Sequence, residues 1–295
     1  MADRLKGCGT ALVTPFTGDG AIDEPALRKL VDWQIAEGIH YLVPCGSTGE
    51  AVTLTPQEHR RVVEITVEQA KGRVPVVAGA GSNDTAKAVA FSKDMKAAGA
   101  THLLHVSPMY NKPPQRGIIE HFRRIADATD LPIVVYNVPG RTGSNIEAKT
   151  TLALAAVPHV VAVKEASGNL GQITDVLRDR PDHFAVLSGD DEMTLAVMAA
   201  GGDGVISVVS NATPRGMAQL CEVAAAGDFS AARALHMRLL PWMRAAFVES
   251  NPIPVKAAMA MLGRMENRLR LPLVPLADAH AGAVREALRA AGALT

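Results

Sequence analysis

The 295-residue chain is poor in aromatic residues, which make up 4% of it, and it carries only three cysteines. With so few rings and 48% hydrophobic residues, its core has to be built mainly from Ala, Val, Leu, Ile and Met. That hydrophobic fraction suffices for a large core and excludes a disordered chain. Cys8, Cys45 and Cys221 are odd in number and widely spaced, which fits neither a disulfide framework nor a zinc motif. They point to a reducing compartment, and the expectation is a cytoplasmic protein. There is no excess charge of either sign: 30 Lys+Arg against 30 Asp+Glu leave a formal net charge of zero. This argues against a general nucleic-acid binder and against steering of a charged macromolecule by the global field. No apolar run approaches the ~20 residues needed to span a bilayer, so no membrane partner is expected. The opening Met1-Ala2-Asp3-Arg4-Leu5-Lys6 leads into no apolar stretch of the secretory-leader kind. Low-complexity segments, linkers and long charge runs are also lacking.

What recurs along the chain is a short apolar run followed by a helix-like stretch. The runs are 9–13, 41–43, 74–78, 102–106, 133–137, 160–164, 185–188 and 204–207, eight in all. They are mostly continuous rather than alternating, as expected for parallel strands covered on both faces. Between them, Ala88, Phe91, Met95 and Ala98 share one helical face, as do Ile118, Phe122 and Ile125. Thr55-Pro56-Gln57-Glu58 reads as a helix start with a capping box, and Thr213-Pro214 repeats the cap-then-proline pattern. Eight strand–helix units over about 225 residues predict a (β/α)8 TIM barrel rather than a doubly wound open sheet. After Gly227 the alternation stops, and 230–248, 254–261 and 279–290 read as helices. The expected division is a catalytic barrel over 1–226 and a C-terminal helical extension over 227–295.

In such a barrel the chemistry sits where the strands end. Lys164 closes the run Val160-Val161-Ala162-Val163. An amine held among apolar neighbours has a lowered pKa and is free to attack a carbonyl, giving a Schiff base. A lysine snorkelling at a strand end is the competing reading. Tyr136 ends the preceding strand, where a phenol can relay protons or simply fill the core. Tyr110 also stands just beyond a strand end. Gly46-Ser47-Thr48-Gly49-Glu50 offers two hydroxyls and a tight turn, either as an anion-holding loop or as a turn with Ser47 capping to Glu50. Arg141 can grip a carboxylate in bidentate fashion or belong to a surface loop. Gly79-Ala80-Gly81 lacks the third glycine of a dinucleotide fingerprint. His102 and His105, three apart in a strand, face opposite ways and cannot chelate together. Asp190 and Asp191 are expected to cap the following helix rather than hold a metal.

Assembled, these residues resemble the dihydrodipicolinate synthase / N-acetylneuraminate lyase family of pyruvate-dependent class I aldolases. The resemblance runs along essentially the whole chain. It is carried by Gly46-Ser47-Thr48-Gly49-Glu50, by Tyr136-Asn137-Val138-Pro139-Gly140-Arg141-Thr142-Gly143 and by Lys164-Glu165-Ala166-Ser167-Gly168-Asn169. Ser188-Gly189-Asp190-Asp191, Gly204-Val205-Ile206-Ser207-Val208 and Asn251-Pro252-Ile253-Pro254-Val255-Lys256 add to it. It implies a covalent pyruvate imine on Lys164 with no other cofactor and no metal. It implies a proton relay of Tyr136, Ser47 and Tyr110, the last reaching into a neighbouring subunit's site. Thr48, Ile206 and Gly189 would line the pyruvate site, and Arg141 would bind the carboxylate of the second substrate, aspartate semialdehyde. The implied product is 4-hydroxy-tetrahydrodipicolinate, a precursor of lysine and diaminopimelate, and the implied assembly is a homotetramer built as a dimer of dimers.

The alternative within the resemblance is a lyase of 2-keto-3-deoxy sugar acids or N-acetylneuraminate. Arg141 favours the acidic aldehyde, because a polyhydroxylated sugar acid calls for neutral hydrogen bonds instead. Ser47 points mildly to the lyases. Relatives are often inhibited by lysine at a dimer-interface site, whose positions here include Ala51, Val52, His59, Asn83, Lys87 and Met109. A cation at Lys87 repels a lysine ammonium, so the expectation is an enzyme insensitive to lysine.

Overall fold

The structure, a computed structural model, describes residues 4–294. Eight parallel strands form one sheet: β1 (Gly7–Ala11), β2 (Tyr41–Val43), β3 (Val77–Gly79), β4 (His102–Val106), β5 (Ile133–Asn137), β6 (Val160–Glu165), β7 (Ala185–Ser188) and β8 (Gly204–Ser207). The spatial order is β2-β1-β8-β7-β6-β5-β4-β3. A parallel bridge between Leu42 and Val76, with the Gly79 N–H donating to the Pro44 carbonyl at 3.0 Å, spans the gap between β2 and β3. The sheet thereby rolls into a TIM barrel, with helices packed around it.

Two apolar layers result from strand alternation. The interior is filled by side chains that include Tyr41, Val77, Leu104, Val134, Tyr136, Leu187 and Ile206. Residues of opposite parity, such as Ile133, Val135 and Val163, face helices whose buried stripes include Ile118, Phe122 and Ile125. One glycine is dictated by this filling. A Cβ on Gly9 would lie 1.9 Å from the Tyr41 ring, so β1 yields its interior space to that ring. The Tyr41 hydroxyl, fully inside the barrel, donates to the Val205 carbonyl at 3.0 Å.

Six strands fall where the apolar runs place them or end one residue beyond. β1 begins two residues earlier than predicted, and β3 begins at Val77 rather than Val74. Pro75 has no N–H for a ladder, which delays β3. The helix Pro56–Ala70 begins with the expected capping box between Thr55 and Glu58. Thr213 does not cap: its hydroxyl donates instead to the Val209 carbonyl at 3.0 Å, within a tight turn that precedes the helix Pro214–Ala225. Beyond Gly227 come the helices Phe229–Ala245, Ile253–Met261 and Asp278–Ala290. The first starts earlier than predicted because the Asp228 carboxylate caps it, accepting from the Ala231 N–H. No helix among the described residues is long and apolar enough to cross a membrane.

Candidate active site

The barrel brings Lys164 and Tyr136 side by side. They are register partners on β6 and β5 and point into the interior. Lys164 Nζ lies 4.2 Å from the centroid of the Tyr136 ring, a cation–π distance. Both residues are buried. Among the described residues no carboxylate and no hydrogen-bond partner holds Nζ. The lysine is pushed down to about 8, chiefly by burial; the Asp191 carboxylate opposes the shift and Arg141 adds to it. Burial pushes the Tyr136 phenol up to about 12, so it stays protonated at neutral pH. Gly189 leaves room for the lysine: a Cβ there would come within 3.1 Å of Lys164 Cε and Cγ and 2.8 Å of Ala166 Cβ.

The outward-facing neighbours of this pair lock the two strand ends together. Asn137 Nδ2 donates to both Glu165 carboxylate oxygens, at 3.1 and 3.0 Å. The same carboxylate accepts from the Ser167 N–H at 2.7 Å and from Gln172 Nε2 at 3.2 Å. Alternation therefore gives each strand end one residue for chemistry and one for anchoring.

The turn after β2 adds the hydroxyls. Thr48 is buried and accepts from Asn251 Nδ2 at 2.9 Å. Ser47 is exposed, and no side-chain cap forms on this turn. The Ser47-to-Glu50 capping reading is thus corrected: Glu50 turns inward, with φ of 53°, and forms a fully buried ion pair with Lys256 Nζ at 2.6 Å. Its second oxygen accepts from the Arg270 N–H at 2.9 Å. Arg141 sits on the short helix Pro139–Thr142, exposed, and donates to the Asn251 carbonyl at 3.2 Å. Ile206 faces the interior in the same cluster as Tyr136.

Tyr110 is 89% exposed, with φ of 72°, its N–H directed at the Thr142 carbonyl. It packs against nothing that would bring its hydroxyl to Lys164 within this chain. Nearby, Asn83 Nδ2 donates to the Met109 carbonyl at 3.1 Å and Lys87 is exposed.

Asp191 does not cap a helix as expected. It is buried and its Oδ2 accepts from the Val208 and Val209 N–H groups at 3.0 and 3.2 Å, tying the β7 loop to the end of β8. Burial pushes it up to about 6. Asp190 accepts from the Glu192 N–H. The sequence assigned no role to Asn251 or Lys256 and read Glu50 only as part of a turn, although the stretch from Asn251 to Lys256 carried part of the resemblance.

The shift of Lys164 has a kinetic consequence. An amine titrating near 8 is about one-tenth free base at pH 7, several hundred times more than an unperturbed lysine. The rate of adduct formation with an α-keto acid at low concentration is expected to rise with pH and level off above about 8. Stopped-flow measurement across pH 6–10 checks this, and a rise continuing past 10 would remove the tuned amine.

The closed parallel barrel and the polar side chains gathered at its strand ends define a TIM-barrel enzyme. The chain belongs to the dihydrodipicolinate synthetase family, whose sequence pattern it matches over residues 4–291. It is 51% identical over 292 residues to the 4-hydroxy-tetrahydrodipicolinate synthase of Koribacter versatilis, covering 99% of this chain and 97% of the relative. Its fold superposes on the crystal structure of dihydrodipicolinate synthase from Thermotoga maritima with a TM-score of 0.97 and 42% identity, over 99% and 100% of the two chains. The lysine-bound enzyme from Cyanidioschyzon merolae gives 0.95 and 40%, over 98% and 99%.

Proposed function

We propose that this chain condenses pyruvate with L-aspartate 4-semialdehyde to give 4-hydroxy-tetrahydrodipicolinate. The observation that carries the reading is the Lys164 amine, buried without a counter-ion and seated over the Tyr136 ring. Nζ attacks C2 of pyruvate, and the C2 oxygen leaves as water to form the imine. Loss of a C3 proton gives the enamine, whose C3 bonds to the aldehyde carbon. The aldehyde oxygen takes up a proton and remains as the 4-hydroxyl. The amine of the second substrate then attacks C2, closing the ring and releasing Lys164. Tyr136 relays these protons, helped by Ser47 and by Tyr110 of a neighbouring subunit. The Thr48 hydroxyl and the surroundings of Ile206 and Gly189 receive the pyruvate carboxylate and keto region. Arg141 receives the carboxylate of the aldehyde.

The relatives' names support this substrate pair over sugar acids, and so does the guanidinium at the mouth. Turnover with aspartate semialdehyde plus pyruvate, against a panel of 2-keto-3-deoxy sugar acids and N-acetylneuraminate, tests it. Condensation alone is expected; cleavage of a sugar acid without condensation overturns the reading. Arg141→Ala is expected to raise the aldehyde KM by about 10–100-fold, the worth of a charge-assisted contact. Pyruvate adduct formation stays within about twofold of the parent enzyme; equal loss of both would show that Arg141 serves another step.

The assembly proposed is a homotetramer, a dimer of dimers, working in the cytoplasm, where the three buried free thiols stay reduced. Val52 and Tyr110, 92% and 89% exposed, suit a surface that a partner covers. Free lysine is expected to leave turnover unchanged, because a cation at Lys87 would repel the ligand's ammonium. Saturable inhibition at sub-millimolar lysine would refute that.

A further inference from the structure

We infer that Asn251 is a positioning residue for pyruvate: its side-chain amide fixes Thr48 as a hydrogen-bond donor to the substrate carboxylate. The inference deepens the proposed function and rests on the reading of Thr48 as the pyruvate-carboxylate residue. Asn251 lies beyond the barrel, in the turn before the helix Ile253–Met261, and is buried. Its Nδ2 donates to Thr48 Oγ1 at 2.9 Å. An amide nitrogen only donates, so at this contact the hydroxyl oxygen is the acceptor and its own hydrogen is free to turn elsewhere. Among the described residues that hydrogen meets no protein acceptor. A buried hydroxyl held in this way presents a donor, and a carboxylate is an acceptor-only group.

The backbone of Asn251 is fixed at the mouth by the Arg141 guanidinium, which donates to its carbonyl at 3.2 Å. One residue of the C-terminal segment thus stands between the two groups proposed to receive the two substrate carboxylates. Among the described residues Asn251 Oδ1 is buried without a protein partner, so there the contact with Thr48 is the side chain's hydrogen bond. Its orientation is therefore what the test has to probe.

Steady-state kinetics separate this role from a packing role. Asn251→Ala is expected to raise the pyruvate KM about tenfold, the factor that one hydrogen bond to a charge-bearing site supplies. Asn251→Asp keeps the shape but only accepts, so it draws the Thr48 hydroxyl into a hydrogen bond to itself and sets a negative charge beside the substrate; about a hundredfold is expected. In both, kcat and the aldehyde KM stay within about threefold, because the Arg141 contact is made to the backbone. In a Thr48→Val background, adding Asn251→Ala is expected to change the pyruvate KM by less than about twofold. Additive losses in that cycle, or an unchanged pyruvate KM in folded Asn251→Asp, overturn the inference. Borohydride trapping of pyruvate on the parent enzyme keeps the two readings apart. No adduct on Lys164 defeats the proposed function, whereas a normal parent adduct with unaltered pyruvate dependence in the variants defeats only the role of Asn251.

Discussion

Lys164→Ala is expected to lower condensation by at least about 10⁴-fold and to abolish the borohydride-trapped pyruvate adduct, while leaving thermal stability equal or higher. The first half follows from the proposed covalent mechanism. With no amine there is no imine, and the remaining groups act on free pyruvate alone. The second half follows from the burial of Nζ without a counter-ion. An ammonium taken out of water and unpaired disfavours the folded state, and its lowered pKa expresses that cost. Truncation removes the penalty and leaves a small cavity, and the two effects oppose one another. Mass spectrometry of the reduced adduct and a melting curve on the same sample check both halves. A pyruvate adduct at another lysine would sink the assignment. A large fall in stability would show that Lys164 holds the barrel together rather than serving chemistry at the expense of stability.

Breaking the Glu50–Lys256 pair is expected to give the largest stability loss of any single substitution around the site. Both side chains are fully buried and their charged atoms are 2.6 Å apart. Lys256 also donates to the Thr14 carbonyl at 2.9 Å and lies over the Phe16 ring. Glu50→Gln or Lys256→Met each leaves a buried charge without its partner, which costs about 3–5 kcal/mol. The double variant Glu50→Gln/Lys256→Met is expected to recover most of that loss, because the charge left behind, not the missing attraction, is what destabilises. Denaturant unfolding of the two single variants and the double variant measures it. Losses that simply add would show two independent contacts. Glu50 also fixes the turn that carries Ser47 and Thr48, so the single variants are expected to raise the pyruvate KM as well.

Several parts of this protein are legible without a structure because their causes are local. The apolar runs at 41–43, 102–106, 133–137, 185–188 and 204–207 coincide with strands, since a strand covered on both faces needs continuous apolar character. The capping box at Thr55 and Glu58 is equally local: two side chains satisfy two backbone N–H groups three residues apart. Where a local signal failed, a distant partner had won. Thr213 gives its hydroxyl to Val209 instead of the helix, and Asp191 reaches over to the end of β8. Glu50 leaves its own turn for a lysine 206 residues away.

The sequence by itself determined the eight-unit barrel and put Lys164, Tyr136, Ser47, Thr48 and Arg141 at or just beyond strand ends, because parity and run length are properties of the chain. The near absence of aromatics acquires a location: of the three tyrosines, Tyr41 fills the barrel interior, Tyr136 faces the lysine and Tyr110 lies exposed. Only the tertiary structure decided which of these residues meet. Register between β5 and β6 set Tyr136 beside Lys164. Closure of the barrel stripped water from the amine. The return of the C-terminal segment over the mouth brought Asn251 to Thr48 and Arg141, and Lys256 to Glu50. Such contacts depend on chain closure over 110 to 206 residues, and no local propensity encodes them.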